Sequence, residues 1–140
     1  VLFRDAPARA VVDVRGGAPC TRETDALAGA STLGLVHAIV LSGGSVFGLD
    51  AASEVTHVLA SNGIGVHIAD CSSLMPIVAS ACIFDALVKY PAPAARSDGL
   101  GEIRALQSSP WRSLGARAAF DAIKSTRPQR APPSSSSIGV

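Results

Sequence analysis

The chain has 140 residues, of which 48% are hydrophobic and 16% charged, and its net charge is +1. This length suits one domain at most and the apolar content is ample for a buried core, which excludes a chain that is disordered throughout. The balanced charge offers no basic stripe for nucleic acid and no polybasic anchor for a membrane, so we expect neither partner.

The apolar runs fall short of the roughly 18 residues that a membrane span needs, and the first residues lack the layout of a signal peptide. Three widely spaced cysteines fit neither a disulfide framework nor paired zinc ligands and indicate a reducing compartment, so we expect a cytoplasmic protein. The chain begins at Val1, inside a predicted strand, and we expect an N-terminal piece to be missing.

Two extended segments open the chain, residues 1–3 and residues 10–15, with a polar turn between them. In the second segment Val12 and Val14 alternate with charged residues, which is typical of a strand with one buried face. The sequence therefore predicts a β-hairpin here. A dense polar cluster follows at residues 21–25 (TRETD), a composition more typical of helix capping and surface ion pairs than of a catalytic site.

The centre of the chain predicts a strand, a tight turn and a helix in succession. Residues 36–41 are an apolar, partly β-branched run, Gly43 and Gly44 supply the turn, and Asn62 with Gly63 supplies the stop of the helix. The apolar stripe of the helix consists of Leu49, Ala52, Val55, Val58 and Leu59.

The two glycines allow a left-handed backbone and a close approach, and the first turn of the helix presents unpaired N–H groups beside them. Backbone donors would then converge just outside the end of the strand. This feature is either a cradle for an oxyanion or a carboxylate, or simply a tight packing turn, and the spacing alone leaves both interpretations open.

Further along, residues 64–68 predict a short strand. Residues 76–85 are apolar on both faces and predict a central strand, with a buried helix as the alternative. The composition of residues 91–101 predicts a surface loop.

A helix is predicted to begin at the Ser109-Pro110 pair and to end near Ser125. The domain would thus comprise residues 1–125, and the Pro- and Ser-rich residues 126–140 predict a disordered tail.

A Ser45 nucleophile elbow is disfavoured because the G-x-S-x-G pattern requires a glycine where Phe47 stands. Neither a dinucleotide fingerprint nor a Walker A loop is present. The three histidines, His37, His57 and His67, lack ligand spacing and indicate ordinary structural or surface residues rather than a metal site.

Three ordered stretches resemble a known family: VVDVRGGAPCTRETDAL at residues 11–27, HAIVLSGGSVFGLDAA at 37–52 and MPIVASACIFDAL at 75–87. In order and spacing they are similar to the L-aminopeptidase/D-esterase family of DmpA-like peptidases, whose relatives include β-aminopeptidases and nylon-oligomer hydrolases. The resemblance covers roughly residues 1–123.

The resemblance implies an α/β protein of the αββα sandwich type, made as one precursor that cleaves itself into two subunits. The freed N-terminal Ser or Thr of the second subunit would be the nucleophile, and its α-amine, whose pKa lies near neutrality, the general base. The substrates would be short peptides, amides or esters. The resemblance also implies a homo-oligomer when complete, and neither a metal nor a cofactor.

This sequence departs from the family beyond Ile123, where the later strands and the cleavage site are expected. We therefore interpret the chain as part of the first subunit, truncated at both ends, without catalytic residues and inactive alone. The alternative is a noncatalytic α/β ligand-binding or interaction domain.

The resemblance places four residues at the substrate pocket: Gly43, Gly44, Ser45 and Phe47. Phe47 stands where relatives carry an aromatic residue, tyrosine in some, whose hydroxyl helps to hold the substrate or the oxyanion. Six further residues match a signature of the same family, for which we expect a partly structural role: Arg15, Gly16, Gly17, Arg22, Glu23 and Asp25.

Overall fold

The computed structural model describes residues 1–29, 31, 33–85 and 110–125. They form a mixed α/β fold, as the sequence predicts, in which two α-helices pack on one face of a three-stranded sheet. The strands are β1 (Ala8–Arg9), β2 (Thr21–Arg22), β3 (Leu35–Val36), β4 (Ala38–Ser42) and β5 (Val78–Cys82), the helices are α1 (Asp50–Ser61) and α2 (Pro110–Lys124), and 3-10 helices span Asp25–Leu27 and Ser45–Leu49.

The main sheet has the order β2-β5-β4, so β5 is its central strand. This confirms the central strand predicted within residues 76–85. β4 runs parallel to β5, with Ala38 opposite Val78 and Ser42 opposite Cys82, whereas β2 is antiparallel to β5. Because β4 and β5 are parallel, the segments that follow both strands emerge at the same edge of the sheet.

The central strand, turn and helix are present as predicted, with a 3-10 helix between the turn and α1. The predicted end of the helix is also confirmed, because Asn62 is the C-cap of α1 and Gly63, which follows it, adopts a φ of 73°. The side chains that α1 buries are Ala51, Ala52, Val55, Val58 and Leu59.

The principal core lies between the sheet and the two helices. Helix α2 begins at Pro110, as its sequence predicts, and packs along α1. The core consists of Ala38, Ala52, Val55, Val58, Leu59, Val78 and Ala119. Neither helix in the described part of the chain has the length and apolar character needed to cross a membrane.

The predicted N-terminal hairpin is wrong. Leu2 pairs with Ala38 at the edge of β4, while β1 pairs with β3, and Val11 in the predicted second strand is 85% exposed. The alternation of apolar and charged residues in the second segment does not specify which strand that segment pairs with. The first segment pairs instead with the edge of β4, which offers it hydrogen bonds to a larger sheet.

The strand predicted at residues 64–68 is also wrong, because only Val66 pairs, in an isolated bridge with Met75. Gly63 and Gly65 both have positive φ angles on either side of Ile64, which interrupts an extended run. The loop predicted at residues 91–101 and the tail predicted at 126–140 lie outside the described residues.

Candidate functional site

The turn after β4 has a left-handed backbone at two successive residues. Gly44 has a φ of 85° and Ser45 a φ of 53°. The left-handed conformation is natural for glycine, but for a serine it is uncommon and requires support from its surroundings. That support comes from the residue that follows β5, since the Ser45 N–H donates to the Ile83 carbonyl at 3.1 Å and the Ile83 N–H donates to the Ser42 carbonyl at 3.0 Å.

Two further backbone donors of this turn also have partners within the chain. The Gly44 N–H donates to the Asp85 carboxylate at 2.8 Å, and the Phe47 N–H donates to the Gly44 carbonyl at 3.1 Å. The turn therefore does meet a carboxylate, but it is one that the chain itself supplies.

Both glycines also lie in close contact with other parts of the chain. A Cβ at Gly43 would overlap the Asp85 carboxylate, and a Cβ at Gly44 would overlap the indole of Trp111 on α2. The Gly43-Gly44 turn is thus packed between the segment that follows β5 and the N-terminal end of α2. The tight-packing interpretation accounts for both glycines, whether or not the turn also contacts a ligand.

Asp85 and Trp111 are the two residues at this turn that the sequence analysis did not assign to it. Asp85 lies three residues after β5, and the parallel pairing of β4 with β5 brings it to the turn that follows β4. A polar residue just beyond a predicted central strand is the signal that could have identified Asp85. Trp111 lies far away in sequence, and no local pattern places it there.

A cavity of about 400 Å³ lies between α2 and the edge of β4 with which the first residues pair, within the range usual for small-molecule pockets. Gly43 and Trp111 line it, as do Leu2 and Val55. Of the four predicted substrate residues, Gly43 lines this cavity. The other three, Gly44, Ser45 and Phe47, come after Gly43 in the turn and are not among the residues that line the cavity. The Phe47 side chain is 56% exposed.

Beneath the turn, Ser42 links the ends of the two parallel strands. Its hydroxyl donates to the Gly48 carbonyl at 3.0 Å and lies 3.1 Å from the Cys82 thiol. Burial raises the pKa of the Cys82 thiol; the hydrogen bond with Ser42 lowers it, and the neighbouring Cys20 side chain raises it. Cys82 is consequently a protonated thiol at neutral pH.

The polar cluster at residues 21–25 joins β2 to α1. Arg22 donates a hydrogen bond to the Ser53 hydroxyl on α1, and the hydroxyls of Thr21 and Thr24 are 3.1 Å apart. Thr24 is the N-cap of the 3-10 helix, although its side chain makes no cap hydrogen bond. These contacts give the cluster a structural role.

The histidines occupy separate places. His37 is buried, and its Nδ1 accepts a hydrogen bond from the Ile77 N–H at 3.0 Å, whereas His57 and His67 are exposed. Within the described part of the chain, no three His, Cys, Asp or Glu side chains group in a way that could hold a metal ion.

Comparison with known proteins gives a consistent set of relatives. The chain is 50% identical over 74 residues to uncharacterized aminopeptidases of Mycobacterium bovis and Mycobacterium tuberculosis, a match that covers 53% of the chain and 21% of each relative. It is 37% identical over 111 residues to an uncharacterized aminopeptidase of Mycobacterium leprae, covering 79% of the chain and 27% of that relative. The chain is therefore similar to part of several proteins that are named aminopeptidases.

The matched region spans only about a fifth to a quarter of the length of these mycobacterial relatives. No protein-family model matches the chain. The similarity thus concerns one part of a longer aminopeptidase-named protein.

Proposed function

We propose that the chain is part of the first subunit of a DmpA-like hydrolase that cleaves short peptides, amides or esters at their N-terminal end. The observation that carries this proposal is the 37% identity, over 79% of the chain, to a mycobacterial protein named an aminopeptidase. The three ordered motifs at residues 11–27, 37–52 and 75–87 support the narrower assignment to the L-aminopeptidase/D-esterase family.

In this proposal the nucleophile comes from a second subunit, released by autoproteolysis of a common precursor. Exposed apolar residues on the main sheet support the presence of such a partner, because Leu41 and Ile83 are 78% and 67% exposed on the face opposite the helices. A second sheet packed on this face would complete an αββα sandwich. The complete enzyme would assemble as a homo-oligomer, and the three free cysteines suit a cytoplasmic location.

The role of this chain would be to form one wall of the substrate pocket. Gly43 lines the cavity beside β4, and the bond from the Gly44 N–H to Asp85 keeps the turn in position. Asp85 would then act as a positioning residue rather than a catalytic one. Phe47 would offer an apolar surface to the substrate without the hydroxyl that a tyrosine would provide.

The proposal is tested by complementation. The chain would be co-expressed with the part of the M. leprae relative that it does not match, and chromogenic amides and esters of L- and D-amino acids would be supplied. We expect no hydrolysis by the chain alone and measurable hydrolysis by the complex. Gly44→Ala should lower kcat/KM about ten- to a hundredfold, since the turn must shift away from Trp111.

Arg117→Ala is the matched control, because Arg117 is exposed on α2, and it should leave kcat/KM unchanged. A folded complex that binds these substrates without cleaving them would overturn the proposal and favour a noncatalytic binding domain. Hydrolysis by the chain alone that disappears in Ser45→Ala would instead identify Ser45 as a nucleophile.

A further inference from the structure

Two cysteines that are far apart in sequence lie directly opposite each other in the main sheet. In the antiparallel pairing of β2 with β5, Thr21 is opposite Ala81, so the next pair outward is Cys20 and Cys82. The pair is joined by a hydrogen bond from the Cys82 N–H to the Cys20 carbonyl at 3.0 Å. Opposite residues of such a pair have Cα atoms about 4.5–5.5 Å apart, within the range of about 4.4–6.8 Å found in disulfides.

Cys20 directly precedes β2 and has a left-handed φ of 48°, so its side chain is not placed by the alternation of a regular strand. The two cysteines are close enough for the Cys20 side chain to raise the pKa of the Cys82 thiol through a hydrogen bond and through charge repulsion. Cys82 is buried and Cys20 is partly exposed, so a small solute can reach Cys20 first. Cys71, the third free cysteine, lies in the loop before β5.

We propose that Cys20 and Cys82 form a reversible disulfide, a redox modification site at the end of the sheet beside the Gly43-Gly44 turn. The site takes a hydroperoxide as its oxidant. It is independent of the proposed hydrolase activity, because it rests on the β2–β5 pairing alone.

The chemistry proceeds in two steps. The Cys20 thiolate attacks one peroxide oxygen, so that an S–O bond forms, the O–O bond breaks and hydroxide or alkoxide leaves. The Cys82 thiol then loses its proton as its sulfur attacks the Cys20 sulfur: the S–S bond forms, the S–O bond breaks, and the leaving hydroxide takes up that proton to become water. The two thiols lose two electrons and two protons, and the hydroperoxide is reduced to water and an alcohol, or to two waters.

The disulfide would have a local structural effect. It removes the thiol that lies 3.1 Å from the Ser42 hydroxyl, and Ser42 is the residue at which β4 enters the turn. It also fixes the segment before β2 to the end of β5. Oxidation is therefore linked to the geometry of the turn through Ser42.

The test uses the full chain, exposed in its folded state to hydrogen peroxide, after which free thiols are blocked and the protein is digested with trypsin without reductant. Cys20 is the sole cysteine of tryptic peptide 16–22, and Cys71 and Cys82 share peptide 23–89. We expect these two peptides to be linked, at a mass lower by two hydrogens than their sum, and to separate on reduction with dithiothreitol.

Cys71→Ser leaves Cys82 as the single cysteine of the second peptide, and in this variant the link should form to the same extent. In the wild-type chain, fragmentation of the linked peptides shows whether Cys71 or Cys82 carries the blocking group, and the link between Cys20 and Cys82 should exceed each of the other two linkages roughly tenfold, since folding holds these thiols at a high effective concentration. Urea-unfolded protein, treated identically, should lose this excess.

The proposal is overturned if the Cys71→Ser chain gives no link, or if wild-type protein links mainly through Cys71 or between two molecules. Both measurements use proteins that retain Cys20 and Cys82, so a folding defect in a cysteine-deficient variant does not affect the result.

Discussion

The contact between Asp85 and Gly44 determines the local chemistry of the turn. A carboxylate that accepts a backbone N–H at 2.8 Å forms a charge-assisted hydrogen bond, which is stronger than a neutral one. Because the partner lies beyond the parallel neighbour strand, this bond fixes the ends of β4 and β5 relative to each other. Removing the carboxylate would leave the buried Gly44 N–H without this acceptor.

His37 gives a prediction for the pH dependence of stability. Burial lowers the pKa of His37 below its ordinary value, and its Nδ1 already accepts the Ile77 N–H. The unfolded chain takes up the proton near pH 6.5 and the folded chain only at a lower pH, so the unfolded state binds more protons between these values. The free energy of unfolding should therefore fall as the pH is lowered below about 6.5, until the folded pKa is passed.

Urea denaturation at a series of pH values from neutral downward measures this effect. His37→Gln should flatten the dependence, even if it lowers stability at every pH. His57→Gln is the control, since His57 is exposed on α1, and it should retain the wild-type dependence. An equal slope in His37→Gln and wild type would show that His37 is not the group responsible.

Among the elements, those specified by nearby residues are the ones that the sequence predicts well. The strand, turn and helix around Gly43 follow from an apolar run, two glycines and a helical stripe, and all three are local signals. The prediction of an N-terminal hairpin is wrong because the first segment pairs with the edge of β4, which is distant in sequence. The sequence does not predict the contact of Asp85 with the turn for the same reason, since only the parallel register of β5 with β4 brings Asp85 to Gly44.

The packing of α1 against α2 depends on a glycine in the interior of α2. Gly115 is buried, and a Cβ there would overlap the backbone carbonyl of Ala51 on α1. Glycine in a helix interior normally costs about 1 kcal/mol relative to alanine, so its presence here indicates that the close helix contact requires it. Ion pairs of Arg112 with Asp50 and Glu54, at 3.8 and 3.7 Å, add little because they are partly exposed.

Gly115→Ala should therefore destabilise the protein, by about 1–3 kcal/mol, despite its better helix propensity. The neighbouring backbone atom cannot rotate away, so α1 and α2 must separate. Arg117→Ala on the exposed side of the same helix should change the free energy of unfolding by less than about 0.5 kcal/mol. Chemical denaturation of both variants decides the matter, and a Gly115→Ala protein more stable than wild type would refute the close-packing argument.

At the scale of the whole molecule, the two faces of the main sheet are covered unequally. Both α-helices pack on the face that carries Ala38 and Val78. On the opposite face, Ile39 and Ala79 are covered by the N-terminal segment and Leu27, but Leu41 farther along β4 is not. Since side chains alternate along a strand, Leu41 and Ile83 lie on the same face as Ile39 and Ala79, beyond the part that the N-terminal segment and Leu27 cover.

This exposed face should make the chain associate with itself at high concentration, because contiguous exposed apolar surface is buried wherever a partner offers a matching one. Sedimentation velocity over a concentration series should show association of the wild-type chain. Leu41→Lys and Ile83→Lys should each shift the distribution toward monomer, as a charge on this face must be desolvated on contact. Val11→Lys changes a residue that is 85% exposed away from the sheet and should behave as wild type. If the wild-type chain stays monomeric throughout, or if all three lysine variants have the same effect, this face is not the surface through which the molecule associates.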